Sequence, residues 1–525
     1  MSIIKKSAVL ISMVCISLLG GELLAQSPKL NLSPEFKLGK NRTFEAHLDS
    51  DAEGHYLYFY ERKRQNTSVV VAKYDNNFKE IWNYEYLPDI DRTTTYGLKA
   101  VEDRFIWMFV EQPKRTKRAY FLAAIDKKGE VSKKVEVNAL GFKKPSDEPI
   151  VDWTVSEDST MVSVVQVFDK DVRDLDFEYD VQVLDSKLNL LWESSVWLKG
   201  KSQEQIEILS FVLGNDGVFY ALVKEYEERN AKETKKKKTR KGKKKVPAYD
   251  LNIYKLGKDM KKPEVLTLNI KDKYAKGASL AIDEHGVITC VGMFGNKRGG
   301  NINGVFFQKL GSNGEIESTY QKEFSARDLE ILGKRNSDDE KDGSGSIEGD
   351  FSFGNQLTQS DGSIVITAEH NYENVRRDPT TGSVQSTFFS RDIIVIRFEP
   401  EGKIRHINLI PKRQKGDTRT FLSHASFSLD NHTTYFVYND HEDNIDRPID
   451  KRPKNMNGLS KSATTLAYID EKGRLQKDIL RDKDKKRSLL LPYTSKRIDG
   501  NSFFFISRRP KFIGRSSFFM GTVDF

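Results

Sequence analysis

Apolar and polar residues alternate in short runs along most of the chain, and the runs come in pairs. Residues 69–75 are followed by 81–86, 119–126 by 131–137, 180–185 by 190–197, and 251–257 by 264–268. The pattern returns at 305–311 with 315–320, 393–399 with 403–410, and 465–470 with 474–479. In most copies the first run ends on an acidic residue, such as Asp75, Asp126, Asp185 or Asp470, and a few polar residues follow. Period-two alternation on both sides of a tight polar turn predicts a β-hairpin. A further strand precedes each hairpin, at 55–60, 104–110, 161–167, 217–223, 287–293, 363–368 and 433–437. Weaker first strands, such as 94–101 and 148–155, lie ahead of these.

Four strands per unit of about 50–90 residues is the pattern of a β-propeller blade. The fold expected is therefore all-β, a single closed propeller. The last unit reads as a first strand at 489–497, a second at 502–507 and a third at 517–524, where the chain stops one strand short. The segment 30–38 is unassigned and precedes the first complete unit. It is expected to supply the missing strand and so pair an open sheet edge. Seven complete units plus this composite make eight blades, with seven as the alternative if one weak first strand is misread.

Asp75-x6-Trp82 and Asp185-x6-Trp192 share spacing and context. They resemble the Asp–Gly–Trp turn of quinoprotein-like propeller repeats, and as a repeat pattern the resemblance covers residues 26–525. It implies a secreted bacterial β-propeller repeat protein. Trp is missing from the other copies, so no quinone cofactor is implied, and the two tryptophans are expected to pack between blades.

Residues 1–25 read as a signal peptide: Lys5 and Lys6, a short apolar run at 8–20, and Ala25 before Gln26 as a cleavage site. Val14 and Ser12 do not fit a lipid-attachment signal at Cys15. Cleavage would leave Cys290 as the only cysteine, so no internal disulfide is available and the core must supply the stability. No other stretch is apolar enough for a membrane-spanning helix. The chain is expected to be exported to the periplasm or cell envelope.

The formal net charge of +9 is local. Residues 235–245 hold nine Lys or Arg and no acid, and without them the chain is close to neutral. A global basic field for nucleic acid is therefore not expected. The run itself reads as a solvated, disordered loop.

Propeller geometry makes loop length informative. Loops joining strands two to three, and blade to blade, share one face. They hold the insertions at 226–248, 327–350, 371–387 and 440–462, while the opposite face has short turns. Long loops on a rigid scaffold are where binding resides. The same two-to-three connections are rich in basic residues, and Arg62, Arg64, Arg115, Arg118, Arg298, Arg377 and Arg509 are the candidate binding residues. Blade three departs from this, with Asp169, Asp171, Asp174 and Asp176.

No nucleophile elbow, zinc-protease pair or phosphate loop is present. Residues 338–349 begin like a calcium loop but end on Gly349 where a Glu is needed. His370 and His441 stand near acids on adjacent blades without a ligand set of recognisable spacing. No catalytic residue, metal ligand or cofactor is assigned. The function expected is a non-catalytic binding or scaffold propeller that meets an anionic envelope component or an acidic protein on its long-loop face. The alternative is a propeller enzyme acting on glycans or peptides at the central mouth.

Overall fold

The computed structural model describes residues 28–525, apart from 87–92, 142–149, 169–176, 227–248, 334–350, 378–382, 481–487, 511–514 and shorter stretches of one to four residues. The signal segment and the basic run 235–245 lie outside the described residues.

Eight antiparallel sheets follow one another along the chain, each a meander of sequential strands. Blade 1 is Arg42–Asp51, Gly54–Lys63, Asn66–Asp75 and Glu80–Tyr86. Blade 2 is Thr93–Val101, Arg104–Lys114, Lys117–Asp126 and Val131–Gly141. Blade 3 is Ile150–Val155, Met161–Phe168, Phe177–Asp185 and Leu190–Leu198. Blades 4 and 5 span 206–267 and 274–323. Blade 7 is His424–Ser428, Thr434–His441, Ser462–Ile469 and Leu475–Ile479.

Blades 6 and 8 have broken innermost strands. In blade 6 it is split into Phe351–Phe353 and Leu357–Thr358, followed by Ile364–Arg377, Val384–Phe398 and Ile404–Ile410. In blade 8 the expected single strand 489–497 is Leu489–Leu490 and Lys496–Arg497, parted by a 3-10 turn at Pro492–Thr494. Proline has no N–H to give to the sheet, so the strand cannot continue through it. Ser502–Arg509 and Ser517–Asp524 follow, and Lys29–Leu32 is the outermost strand of this sheet. Lys29 pairs with Asp524 and Leu32 with Gly521, so the two ends of the chain close the ring.

The ring is held between blades. Each of the eight gaps between neighbouring sheets contains one hydrophobic cluster. Second and third strands are covered on both faces and so read as nearly unbroken apolar runs. In blade 8, Phe503 and Phe505 pack towards blade 7, while Phe504 and Ile506 pack towards blade 1. The outermost strand Glu80–Tyr86 has one covered face and is largely exposed. Cys290 is buried between blades 4 and 5 with its thiol free, and burial raises its pKa.

The recurrent acidic turn has a clear cause. Asp185 Oδ1 accepts the backbone N–H of Lys187 at 2.9 Å and of Asn189 at 2.7 Å. Asp75, Asp126 and Asp470 make the same pair of bonds. Side-chain acceptors of this kind fix a turn that backbone bonds alone leave open. Trp192, seven residues after Asp185, donates its indole N–H to the Gly217 carbonyl of blade 4 at 3.0 Å. Trp82 packs into the cluster between blades 1 and 2, with its ring 6.0 Å from Tyr56.

The helix Ala326–Gly333 connects blades 5 and 6 and buries Leu332 between them. The expected loop 371–387 is instead largely strand: Ile364–Arg377 and Val384–Phe398 run on past the sheet as a paired hairpin.

Candidate functional site

The arginines read from the sequence fall on the insertion-bearing face where they are described. Arg62 is exposed near the end of the second strand of blade 1, and its backbone N–H donates to Asn41 O at 2.9 Å. Arg118 is half-buried at the start of the third strand of blade 2. Arg509 is half-buried at the end of the second strand of blade 8, opposite Ser517. Arg377 ends the second strand of blade 6, opposite Val384. Arg64, Arg115 and Arg298 lie outside the described residues. The four described positions thus share a face, on four different blades.

Sequence reading missed the aromatic residues beneath other cations on this face. Tyr372 and Phe389 stack with centroids 4.6 Å apart near the base of the blade 6 extension. The Arg391 guanidinium lies 5.1 Å from the Tyr372 ring centroid, and Arg419 lies 4.8 Å from that of Phe388. Arg508 stands 5.9 Å from the ring of Phe421. Arg391 also donates to the Tyr372 hydroxyl at 2.5 Å and Arg419 pairs with the Glu373 carboxylate at 3.4 Å, while a guanidinium carries five N–H donors in all and so has others to offer an anion.

The axial mouth on the same side carries a carboxyl. The first strand of blade 1 has a bulge: Phe44 pairs with Phe59 and Ala46 with Tyr58, leaving Glu45 as the extra residue. Bulges re-aim side chains next to sites. Glu45 is half-buried and lies within electrostatic reach of Tyr58, Tyr60 and the exposed Tyr493. It has no hydrogen-bond or ion-pair partner among the described residues, and burial pushes its carboxyl up to about 7. Such a group can both give and take a proton at neutral pH.

Between blades 6 and 7 lies a buried polar network that is better understood as structural. Lys412 and Glu369 form an ion pair with almost no exposure. Lys412 also donates to Ser390 Oγ at 2.6 Å and to Gln414 Oε1 at 2.9 Å. Glu369 accepts from Asn371 at 3.0 Å and from Ser423, and His424 Nδ1 lies 3.3 Å away. Burial alone would raise the Glu369 carboxyl, but Lys412 and His424 hold it well below the usual range. The network ties the connection 411–423 to both blades. Asp440, nearby, accepts from the His441 backbone N–H and the Asn444 amide, both at 2.8 Å, through Oδ1. Its Oδ2 has no partner, and burial raises its pKa to about 6.

No group of three His, Cys, Asp or Glu arranged to hold a metal is found among the described residues. His370 and His441 form no such group. No described helix is long and apolar enough to cross a membrane.

No protein-family model matches the chain, and no curated protein does. Among solved structures, it is similar to a puromycin hydrolase mutant complexed with PGG, with TM-score 0.38 and 9% identity over 79% of this chain and 51% of that one. This chain therefore spans about half the length of that enzyme. It is also similar to a mutant apocarotenoid oxygenase from Synechocystis, with TM-score 0.32 and 8% identity over 92% of this chain and 88% of that one. A protein of unknown function from Dyadobacter fermentans matches with TM-score 0.26 and 10% identity, over 82% of this chain and 99% of that one. At such scores these likenesses carry no argument about activity. The chain is an eight-bladed β-propeller.

Proposed function

We propose that this chain is an exported, non-catalytic binding propeller of the bacterial cell envelope. It engages an anionic envelope component or an acidic protein partner through its insertion-bearing face. The observation that supports this reading is the common placement of Arg62, Arg118, Arg377 and Arg509 at two-to-three strand ends, beside the arginines stacked on Tyr372, Phe388 and Phe421. Exposed charge pairs contribute only about 0–1 kcal/mol each, so useful affinity requires several clusters together. The test is binding of a poly-glutamate peptide to residues 26–525. Combined reversal of Arg62, Arg115, Arg377 and Arg509 to Glu is expected to weaken it by tenfold or more. Unchanged affinity would overturn the reading.

Glu45 favours a second reading, a propeller enzyme acting on glycans or peptides at the central mouth. A hydrolytic activity on such substrates that disappears in Glu45→Gln, with the fold intact, would support it. An activity that survives this change would remove Glu45 from the chemistry.

A further inference from the structure

The most deeply buried cations among the described residues have acid partners. Lys73 pairs with Asp51 and Glu53, Arg397 with Asp361, and Lys412 with Glu369. Charges taken away from bulk water are normally neutralised in this way. Lys99 is half-buried and Lys496 exposed; neither has an acid partner among the described residues, and they line the same cavity.

That cavity lies on the ring axis, towards the short-turn face. It has a volume of about 360 Å³ and is bounded by the innermost strands of blades 1, 2 and 8 and the first turn of blade 3. Lys99, on the first strand of blade 2, reaches across to blade 3. Its ammonium donates to Trp153 O at 2.7 Å and lies 4.5 Å from the Trp153 ring centroid. Lys496, on the broken first strand of blade 8, reaches to blade 1 and donates to Leu48 O at 2.7 Å. Neither makes an ion pair among the described residues. Asp152 and Asp49 act on them only at longer range, and Asp49 is already bound to Lys127 at 2.8 Å. An ammonium has three N–H donors. With one given to a carbonyl, each lysine keeps two without an acceptor among the described residues.

The two lysines differ in access. Lys99 is half-buried, whereas Lys496 is exposed. Surrounding protein lowers both ammonium pKa values. His47 adds a third polar wall. It is 6% exposed, its Nε2 bonds Ser50 Oγ at 2.8 Å, and its Nδ1 has no partner. The rest of the lining includes Leu48, Leu98 and Val155, with Glu157 exposed at the rim.

We propose that this axial cavity is a binding site for a small organic anion, whose carboxylate sits between Lys99 and Lys496 and whose apolar part lies against Leu48, Leu98 and Val155. The volume is in the range of small-molecule sites, and Ser156 and Ser159 make the lining more polar than apolar. The site is independent of the partner surface proposed above, because it opens on the short-turn side.

Succinate and inorganic phosphate serve as probes, by calorimetry and thermal shift on residues 26–525. Succinate is expected to bind and raise Tm, and Lys99→Met or Lys496→Met to weaken it at least tenfold. Reversing Arg62 and Arg509 on the other face should leave it unchanged, so this site and the face proposal can fail separately. If either methionine variant does not fold, the unaltered protein still decides. Succinate should then protect Lys99 and Lys496, but not Lys187, from reductive methylation read by peptide mass spectrometry. Absence of protection would overturn the proposal. Equal protection by phosphate would overturn the organic part, leaving no contribution from the apolar walls.

Discussion

Asp75, Asp126, Asp185 and Asp470 serve one purpose in four blades: each carboxylate fixes the last turn by accepting two backbone N–H bonds. The third residue after each takes a left-handed conformation. Gly129 and Gly473 adopt it freely, whereas Phe78 and Leu188 carry its strain in exchange for burial in the inter-blade core. Burial alone would raise the Asp185 carboxyl, but its N–H donors hold it below the usual range. Its contribution is therefore full above the unfolded value, about pH 4, and fades as pH falls through its lower folded value. Asp440 has the opposite sign. Its folded pKa is raised to about 6, so stability is full below about pH 4 and is lost as pH rises through 6. Urea unfolding separates the two. Asp185→Ala should lose about 1–2 kcal/mol at pH 7 and less at pH 3.5. Asp440→Asn should gain about 2–3 kcal/mol at pH 7.5 and almost nothing at pH 3.5. A pH-independent effect of either substitution would contradict the assignment.

The elements differ in how readily the sequence shows them. Second and third strands are legible because double burial makes long apolar runs, such as Ile288–Gly295, and the acidic turn marks where the third one ends. First strands are obscured by bulges. Blade 1 has two unpaired residues there, Glu45 and Leu48, and blades 2, 4 and 5 have one each, Tyr96, Leu209 and Lys276, which interrupts period two. In blades 6 and 8 the first strand is broken outright. The extension of blade 6 looks like a loop in the sequence because Val375 and Val384, both exposed, lie among polar residues. The joining strand Lys29–Leu32 is short, yet it packs the half-buried Leu30 and Leu32 against blades 7 and 8, and Phe36 bridges to Phe518. Two half-buried leucines correspond to roughly 1.5–3 kcal/mol of apolar burial. Removing residues 26–40 should therefore lower Tm clearly in a calorimetric scan, and an unchanged Tm would mean that the ring does not depend on this strand.

At the scale of the whole molecule, the chain is a closed ring with two unlike faces. Charge on the insertion-bearing face was legible because Lys and Arg cluster beside strand ends in sequence. Glu45, the Glu369–Lys412 pair and the Lys99–Lys496 cavity were not, because their residues are distant in sequence and meet only when blades stack and the ring closes. A face that binds through several exposed cations has a particular physical signature. Screening lengths fall from about 30 Å at 0.01 M salt to about 8 Å at 0.15 M, so such binding must weaken steeply with ionic strength. The decisive measurement is the affinity of residues 26–525 for poly-glutamate over that salt range. It should be made on the unaltered protein, on the Arg62, Arg115, Arg377, Arg509 reversal, and on a Lys128→Glu, Lys187→Glu control from the opposite face. The account predicts a steep fall with salt in the unaltered protein and the control, and a weak, flat response in the reversal. Equal affinity and equal salt dependence in all three would contradict it.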